Sequence, residues 1–204
     1  MPTDWTALAD TVLDGSPLTR DEALAVATAP DDELLALLHA AFRVRRAYHG
    51  REVRVHVLQN AKSGVCAEDC AFCSQSLHFE SEVPQYGMQS VDELVAGAAE
   101  AHEMGAVTYC IVTATRGPTH DEVDTVCEAA RRIKDRWSMD VCASLGLLKE
   151  GQAERLAEAG VDRYNHNLET SENHFSEIVQ THDWADRVAT VQRAKRAGME
   201  ACCG

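Results

Sequence analysis

Three cysteines, Cys66, Cys70 and Cys73, stand at C-x3-C-x2-C spacing within the polar stretch Asn60–Ser76. Thiolates this close in one loop face a single small volume, which suits one soft metal centre better than a disulfide. A ferredoxin-type iron–sulfur site uses four thiolates, but here the next cysteine is Cys110, in the following apolar run. Three protein ligands on a cubane leave one iron open to a substrate, as a catalytic zinc keeps an open position. Two other readings stay open: an unligated cysteine-rich loop, or a structural zinc with His78 completing a C-x3-C-x2-C-x4-H set. Structural zinc sites favour paired C-x2-C spacings, so the spacing leans toward iron–sulfur.

The elements that must position this loop follow a regular rhythm. Apolar runs at Val53–Leu58, Ala106–Thr113, Met139–Leu145, Val161–Leu168 and Met199–Cys202 alternate with helical patterns. Gly105, Gly160 and Gly198 each stand directly before a strand, where a helix C′ residue needs positive φ. Ser90 with Glu93 and Thr119 with Glu122 form capping boxes at helix starts. Such alternation means βα units and a parallel sheet. Without a Gly-x-Gly-x-x-Gly turn, a barrel is favoured over a dinucleotide-binding sheet. A (β/α)8 TIM-type barrel needs eight strands and about 250 residues, so a chain ending at Gly204 after the fifth run is expected to be a fragment truncated after about five strands. The domain division expected is an N-terminal helical lead-in over residues 1–50 and a partial barrel over residues 51–204. In the lead-in, Thr19 and Glu22 form a capping box, and a leucine-rich run at helical spacing follows Asp31. No chemistry is apparent there.

Composition narrows the function classes. A net charge of -14, spread along the chain, argues against a nucleic-acid partner. There is no apolar stretch of about 18 residues for a membrane span and no basic, then apolar, N-terminus for a secretory signal. Eight cysteines without an export signal fit a reducing cytoplasm, where thiols serve metals.

Strand parity places a second set of cysteines. Bulky Tyr109 and Ile111 suit the helix layer, which turns Cys110 inward. Met139, Val141 and Ala143 facing out leave Asp140, Cys142 and Ser144 inward. Tyr164, His166 and Leu168 facing out leave Asn165, Asn167 and Glu169 inward. Cys203 shares the parity of Met199 and Ala201, so Cys202 faces the lumen. Cys110, Cys142 and Cys202 inside one barrel read as a second metal site, although any one of them could be an ordinary buried thiol. Cys127, among helical alanines, reads as a small core residue.

The C-x3-C-x2-C loop after the first strand resembles the signature of the radical S-adenosylmethionine (SAM) enzymes. With the later run Tyr-Asn-His-Asn-Leu-Glu-Thr-Ser at Tyr164–Ser171, the stretch Val53–Gly204 resembles the biotin synthases within that superfamily. The resemblance implies a [4Fe–4S] cluster on Cys66, Cys70 and Cys73, whose open iron chelates SAM. It also implies a [2Fe–2S] cluster on Cys110, Cys142 and Cys202, with an arginine as fourth ligand on a strand beyond residue 204. The implied reaction inserts sulfur into dethiobiotin: reductive cleavage of SAM gives a 5′-deoxyadenosyl radical that removes hydrogen, and a sulfide of the second cluster quenches the carbon radical. By similarity, Phe72 packs near the adenine, Asn167 and Glu169 bind SAM, and Asn165 binds the ureido ring of dethiobiotin. Glu169 stands where some members have aspartate. Arg187 is either a further SAM contact or a surface arginine, and Lys62 has no assigned role. Further implications are a reductant such as flavodoxin or ferredoxin, a homodimer when full length, and an isolated fragment without activity. The competing readings are another radical SAM enzyme, such as a cofactor maturase, and an electron-transfer iron–sulfur protein. The lumen cysteines and the Asn-His-Asn-Leu-Glu run argue against the first; the second would want four thiolates per cluster and no substrate pocket, so SAM binding would separate it.

Overall fold

A computed structural model describes residues 3–204, which fall into two compact units, one ending at Val53 and one running Arg54–Gly204. The first unit holds helices α1 (Trp5–Leu13), α2 (Arg20–Ala27) and α3 (Leu34–His49), with a 3-10 turn at Asp31–Glu33 leading into α3. Trp5, Ala9 and Ala40 form its core, with Leu8, Leu37 and Val44 packed against them. The Trp5 indole N–H donates to Glu33 Oε2 at 2.8 Å. The Thr19–Glu22 capping box closes the start of α2, satisfying N–H groups that the first turn leaves unpaired.

The second unit is built on five strands: β1 (His56–Lys62), β2 (Thr108–Thr113), β3 (Asp140–Ser144), β4 (Arg163–Asn165) and β5 (Glu200–Cys202). All neighbours are parallel, and spatial order follows chain order from β1 to β5. Each strand is therefore added on the same side of the last, as in a (β/α) barrel. A doubly wound sheet would reverse its order. Between the strands lie α4 (Val91–Glu103), α5 (His120–Arg136), α6 (Gln152–Glu158), α7 (Glu172–Ile178) and α8 (Trp184–Arg196).

The core lies between one sheet face and the helices. Tyr109, Ile111, Val141, Ala143 and Tyr164 from the strands meet Leu94, Ala98, Val126, Ile133 and Leu156 from α4, α5 and α6. Alternation along the strands turns the intervening residues to the other face. Cys127 belongs to this core, its thiol turned to the Arg155 carbonyl. Gly97 in α4 leaves room for a strand side chain, because a Cβ there would lie 1.6 Å from Gln59 Oε1. Capping boxes open α4 at Ser90 and α5 at Thr119. Gly105, Gly160 and Gly198 take positive φ of 78°, 95° and 89° before the next strand.

Two strands differ from the sequence reading by three residues or more at an end. The first strand does not begin at Val53, which is 78% exposed; pairing runs from His56 to Lys62. The polar residues Gln59, Asn60 and Lys62 are thus inside the strand, where hydrophobicity alone does not reveal them. The fourth strand ends at Asn165 instead of reaching Leu168. Asn167 and Glu169 lie on the following loop, and Glu169 takes a left-handed φ of 68°, so strand parity does not govern them.

Candidate metal-cluster site

The loop after β1 is folded upon itself by backbone and side-chain bonds. Cys66 N–H donates to Gln75 O at 3.2 Å, Leu77 N–H to Cys66 O at 2.8 Å, and Cys73 N–H to Cys70 O at 3.0 Å. Gln75 Oε1 accepts from Gly64 N–H at 2.7 Å and from the Ser63 hydroxyl at 3.0 Å. The result brings Cys66, Cys70 and Cys73 to the wall of one cavity of about 840 Å³, counted to its open mouth. Cys66 and Cys70 are buried, and burial pushes both thiols up, Cys70 to about 11 with Arg187 opposing the shift. Buried neutral thiols of this kind become thiolates when a metal displaces the proton. Phe72, between two of the cysteines, is half exposed and lines the same cavity.

The loop after β4 supplies the facing wall. Asn165, Asn167 and Glu169 all line the cavity. Asn167 Oδ1 accepts from Gly204 N–H at 3.0 Å, and Glu169 Oε1 lies 3.9 Å from Arg187 Nη1. Arg187, on α8, is not a surface residue: it is 7% exposed. Its Nη1 donates to Asn167 O at 2.8 Å, its Nη2 to Cys70 Sγ at 3.5 Å, and its Nε to His182 Nε2 at 3.0 Å.

Sequence reasoning missed several residues around this wall. Glu68 and His182 are both buried, and His182 Nδ1 meets Glu68 Oε2. Asp69 accepts from the backbone N–H groups of Gln180 and Thr181, tying the cysteine loop to the segment between α7 and α8. His166, placed outward by parity, instead lines the cavity. Its Nε2 and Thr113 Oγ1 are buried without a hydrogen-bond partner, and both residues belong to the cavity wall. Burial and the nearby Arg187 push His166 down to about 3, so the ring is neutral. Buried polar atoms left unpaired in a cavity wall call for a partner, and a polar ligand in the cavity would supply one. The signal available in the sequence was slight: two acids bracketed by Cys66 and Cys70, and a Thr-His pair before α8. Lys62 turns out to pair with Glu122, its Nζ donating at 2.8 Å.

The second set of cysteines sits on the strands. Cys110 pairs in register with Cys142, Cys142 with Arg163, and Asn165 with Cys202. The adjacent Cys142 thiol, burial and the nearby Cys202 push Cys110 up, and the Cys110 thiol draws Cys142 down. Val112 and Ser144, two residues beyond Cys110 and Cys142, line the main cavity. Cys110 and Cys142 therefore lie one pleat repeat, about 6.6 Å, along the sheet face from the two strand residues that line the cavity. Cys202 and Cys203 are both exposed. Arg163, anchored by Glu200 (Nε to Oε2 at 2.9 Å), is the cation nearest this set and was not foreseen.

Among the described residues, no three His, Cys, Asp or Glu side chains converge tightly enough to hold a single metal ion. A cubane makes a different demand, because each cysteine binds a different iron and the sulfurs stand apart. His78, needed for a zinc set, is turned to the Ala67 carbonyl at 3.0 Å.

The sequence profile of the Radical SAM superfamily matches residues 61–204. The chain belongs to the radical SAM superfamily. A biotin synthase of Salinibacter ruber is 69% identical over 202 residues, covering 99% of this chain and 56% of that protein. A biotin synthase of Bacillus licheniformis is 48% identical, covering 98% of this chain and 60% of the relative. The chain thus spans a little over half the length of these curated relatives. Among solved structures, methylornithine synthase superposes with a TM-score of 0.83 at 20% identity, covering 97% of this chain and 58% of that one. A maturase of the [FeFe]-hydrogenase superposes with a TM-score of 0.80 at 17% identity, covering 100% of this chain and 46% of the other. At those identities the likeness concerns the fold, a radical SAM barrel of which this chain supplies five strands. In a radical SAM protein a [4Fe–4S] cluster and SAM are implied, and the cavity walled by Cys66, Cys70, Cys73, Asn167 and Arg187 fits them.

Proposed function

We propose that the full-length protein is a biotin synthase, a sulfurtransferase that inserts sulfur into dethiobiotin to form biotin. What supports this reading is that the strand cysteines Cys110 and Cys142 are register partners two residues before Val112 and Ser144, which line the same cavity as Cys66, Cys70, Cys73 and polar Asn165. A radical SAM enzyme needing one cluster has no use for Cys110, Cys142 and Cys202 together. The 69% identity to a biotin synthase over nearly the whole chain supports the same choice.

When bound, the [4Fe–4S] cluster with SAM and the [2Fe–2S] cluster supply hydrogen abstraction from unactivated carbon and a source of sulfur, chemistry beyond any side chain. The chain's residues bind and orient. Cys66, Cys70 and Cys73 would hold the first cluster, and Cys110, Cys142 and Cys202 the second. Phe72 offers an aromatic face to the adenine. Asn167, Glu169 and Arg187 offer an amide, a carboxylate and a guanidinium to the ribose and amino-acid groups of SAM. The Asn165 amide matches the donor and acceptor of a ureido ring. The apolar sheet residues behind them exclude water from the reacting groups.

With this reading go a small electron-transfer protein such as flavodoxin or ferredoxin as reductant, a homodimer and a cytoplasmic location. Eight free thiols suit a reducing compartment. Among the described residues no helix is long and apolar enough to cross a membrane.

The test is anaerobic reconstitution of the full-length protein, followed by iron and sulfide analysis, EPR with and without SAM, and assay of dethiobiotin turnover. A SAM-sensitive [4Fe–4S] signal with biotin formation is expected. A SAM-sensitive cluster that leaves dethiobiotin untouched would point to another radical SAM reaction. Bound zinc, or a cluster indifferent to SAM, would end the reading.

A further inference from the structure

Arg187 touches the cluster loop at one atom, Cys70 Sγ, and the way it is held has a direction built into it. A guanidinium is charged at any physiological pH and only donates. Its Nε faces His182 Nε2 at 3.0 Å, so that ring nitrogen must be the acceptor and the proton must sit on Nδ1. Nδ1 in turn meets Glu68 Oε2. The carboxylate thus fixes the imidazole tautomer, the imidazole fixes the guanidinium plane, and the free edge of that plane presents Nη2 to Cys70 Sγ at 3.5 Å. Phe175 backs the assembly, with its ring centroid 5.5 Å from Arg187 Cζ and 5.6 Å from the His182 ring, which meets it edge-on. Glu68 is itself held by the Thr181 hydroxyl at 2.7 Å and by Arg116 at 3.4 Å. Glu68, His182 and Arg187 are all buried, where satisfied polar networks rigidify what they hold.

We propose that Glu68 and His182 are positioning residues that aim Arg187 at the Cys70 sulfur, so that this cationic donor sets the reduction potential of the cluster bound there. This rests on the cluster assignment of the proposed function, but not on the identity of its substrate. A donor and positive charge at a ligating sulfur favour the reduced cluster, whose charge is one unit more negative. Loosening Arg187 therefore moves the potential down. Neither Glu68 nor His182 needs to touch SAM or substrate for the effect.

The test uses the full-length protein, reconstituted anaerobically with iron and sulfide and without SAM. The midpoint potential of the [4Fe–4S] couple is read by EPR-monitored titration for the unaltered protein, His182→Leu and His182→Gln. Glutamine can accept from Arg187 with its carbonyl and donate to Glu68 with its amide, whereas leucine does neither. A more negative potential in His182→Leu, largely restored in His182→Gln, is expected. Equal potentials in all three, or an equal shift in both variants, would overturn the proposal. A measurement on the unaltered protein covers the case in which His182→Leu fails to fold. With 15N-labelled arginine, the reduced cluster should show a weak 15N coupling by HYSCORE, and absence of that coupling would overturn the proposal as well. A protein that holds the cluster but makes no biotin would sink the substrate assignment and leave this experiment intact, while a protein that binds no cluster would sink both.

Discussion

Cys110 and Cys142 are register partners on adjacent parallel strands, side by side on one face of the sheet. They stand on β2 and β3, whereas Cys66, Cys70 and Cys73 stand on the loop after β1, so the two sets should be separable by mutation. On the proposed function, Cys142→Ala in the full-length protein is expected to remove the iron and the visible absorbance of the second cluster, to leave the SAM-sensitive EPR signal of the first, and to drop biotin formation to background. The fold should survive, because losing one buried thiol costs about 1 kcal/mol. Metal analysis and EPR on the same sample check the outcome; loss of both clusters together would mean the sets are not independent.

Asn165 and Asn167 are two residues apart, but one closes the strand and the other sits on the loop with Arg187 at its carbonyl. Their variants should separate two ligands. Asn167→Ala is expected to weaken SAM binding about tenfold, the worth of one good polar contact, with KM for dethiobiotin little changed. Asn165→Ala should do the reverse. Titrating the EPR change with SAM, beside steady-state kinetics, distinguishes them.

Gly97 is required by contact with the sheet. An alanine Cβ would lie 1.6 Å from Gln59 Oε1 and 2.9 Å from the Tyr109 hydroxyl. Gln59 would have to leave its bonds to Tyr109 and Gln89, both 2.6 Å. Gly97→Ala is expected to cost about 1–3 kcal/mol, as overpacking does. At roughly 2–4 °C per kcal/mol for a chain of this size, thermal unfolding read by circular dichroism should show it clearly. An unchanged Tm would show that the sheet and α4 can separate at no cost.

Glu122 carries an acid-dependent share of stability. Burial pushes its carboxyl up, but hydrogen bonds from Lys62 and Thr119 outweigh this and hold it below the usual carboxylate range. A folded-state pKa below the unfolded value means the unfolded chain binds the proton more readily. The contribution is therefore complete above the unfolded value, about 4.3, and is lost as pH falls from there through the folded value. Glu122→Gln should lower stability at pH 7 by about 1–2 kcal/mol, since a capping-box carboxylate and a half-buried ion pair go together. The gap to the unaltered protein should narrow in acid. Urea unfolding at pH 7 and in the acid range measures it, and a gap independent of pH would contradict the assignment.

The chemistry of this chain was legible because it is local or periodic. Cys66, Cys70 and Cys73 are near neighbours, so their spacing alone confines three sulfurs to one loop. Cys110 and Cys142 could be turned to one sheet face because side chains alternate along any strand, and the bulky Tyr109, Ile111 and Val141 declare which face meets the helices. The capping boxes and the glycines before β2, β4 and β5 follow from backbone hydrogen bonding within a few residues.

Parity failed where the strand stopped. Beyond Asn165 the backbone turns, Glu169 takes a left-handed conformation, and His166 lines the cavity it was expected to face away from. The contacts joining Glu68, His182, Arg187 and Cys70 span more than 100 positions of sequence, apart from the local bond between His182 and Arg187. The sequence by itself determined which residue types could bind a cluster and which strands carry them, since spacing and alternation act within one element. Only the tertiary structure decided that Arg187 is buried against Cys70, because that depends on packing α8 over a loop far away in the chain.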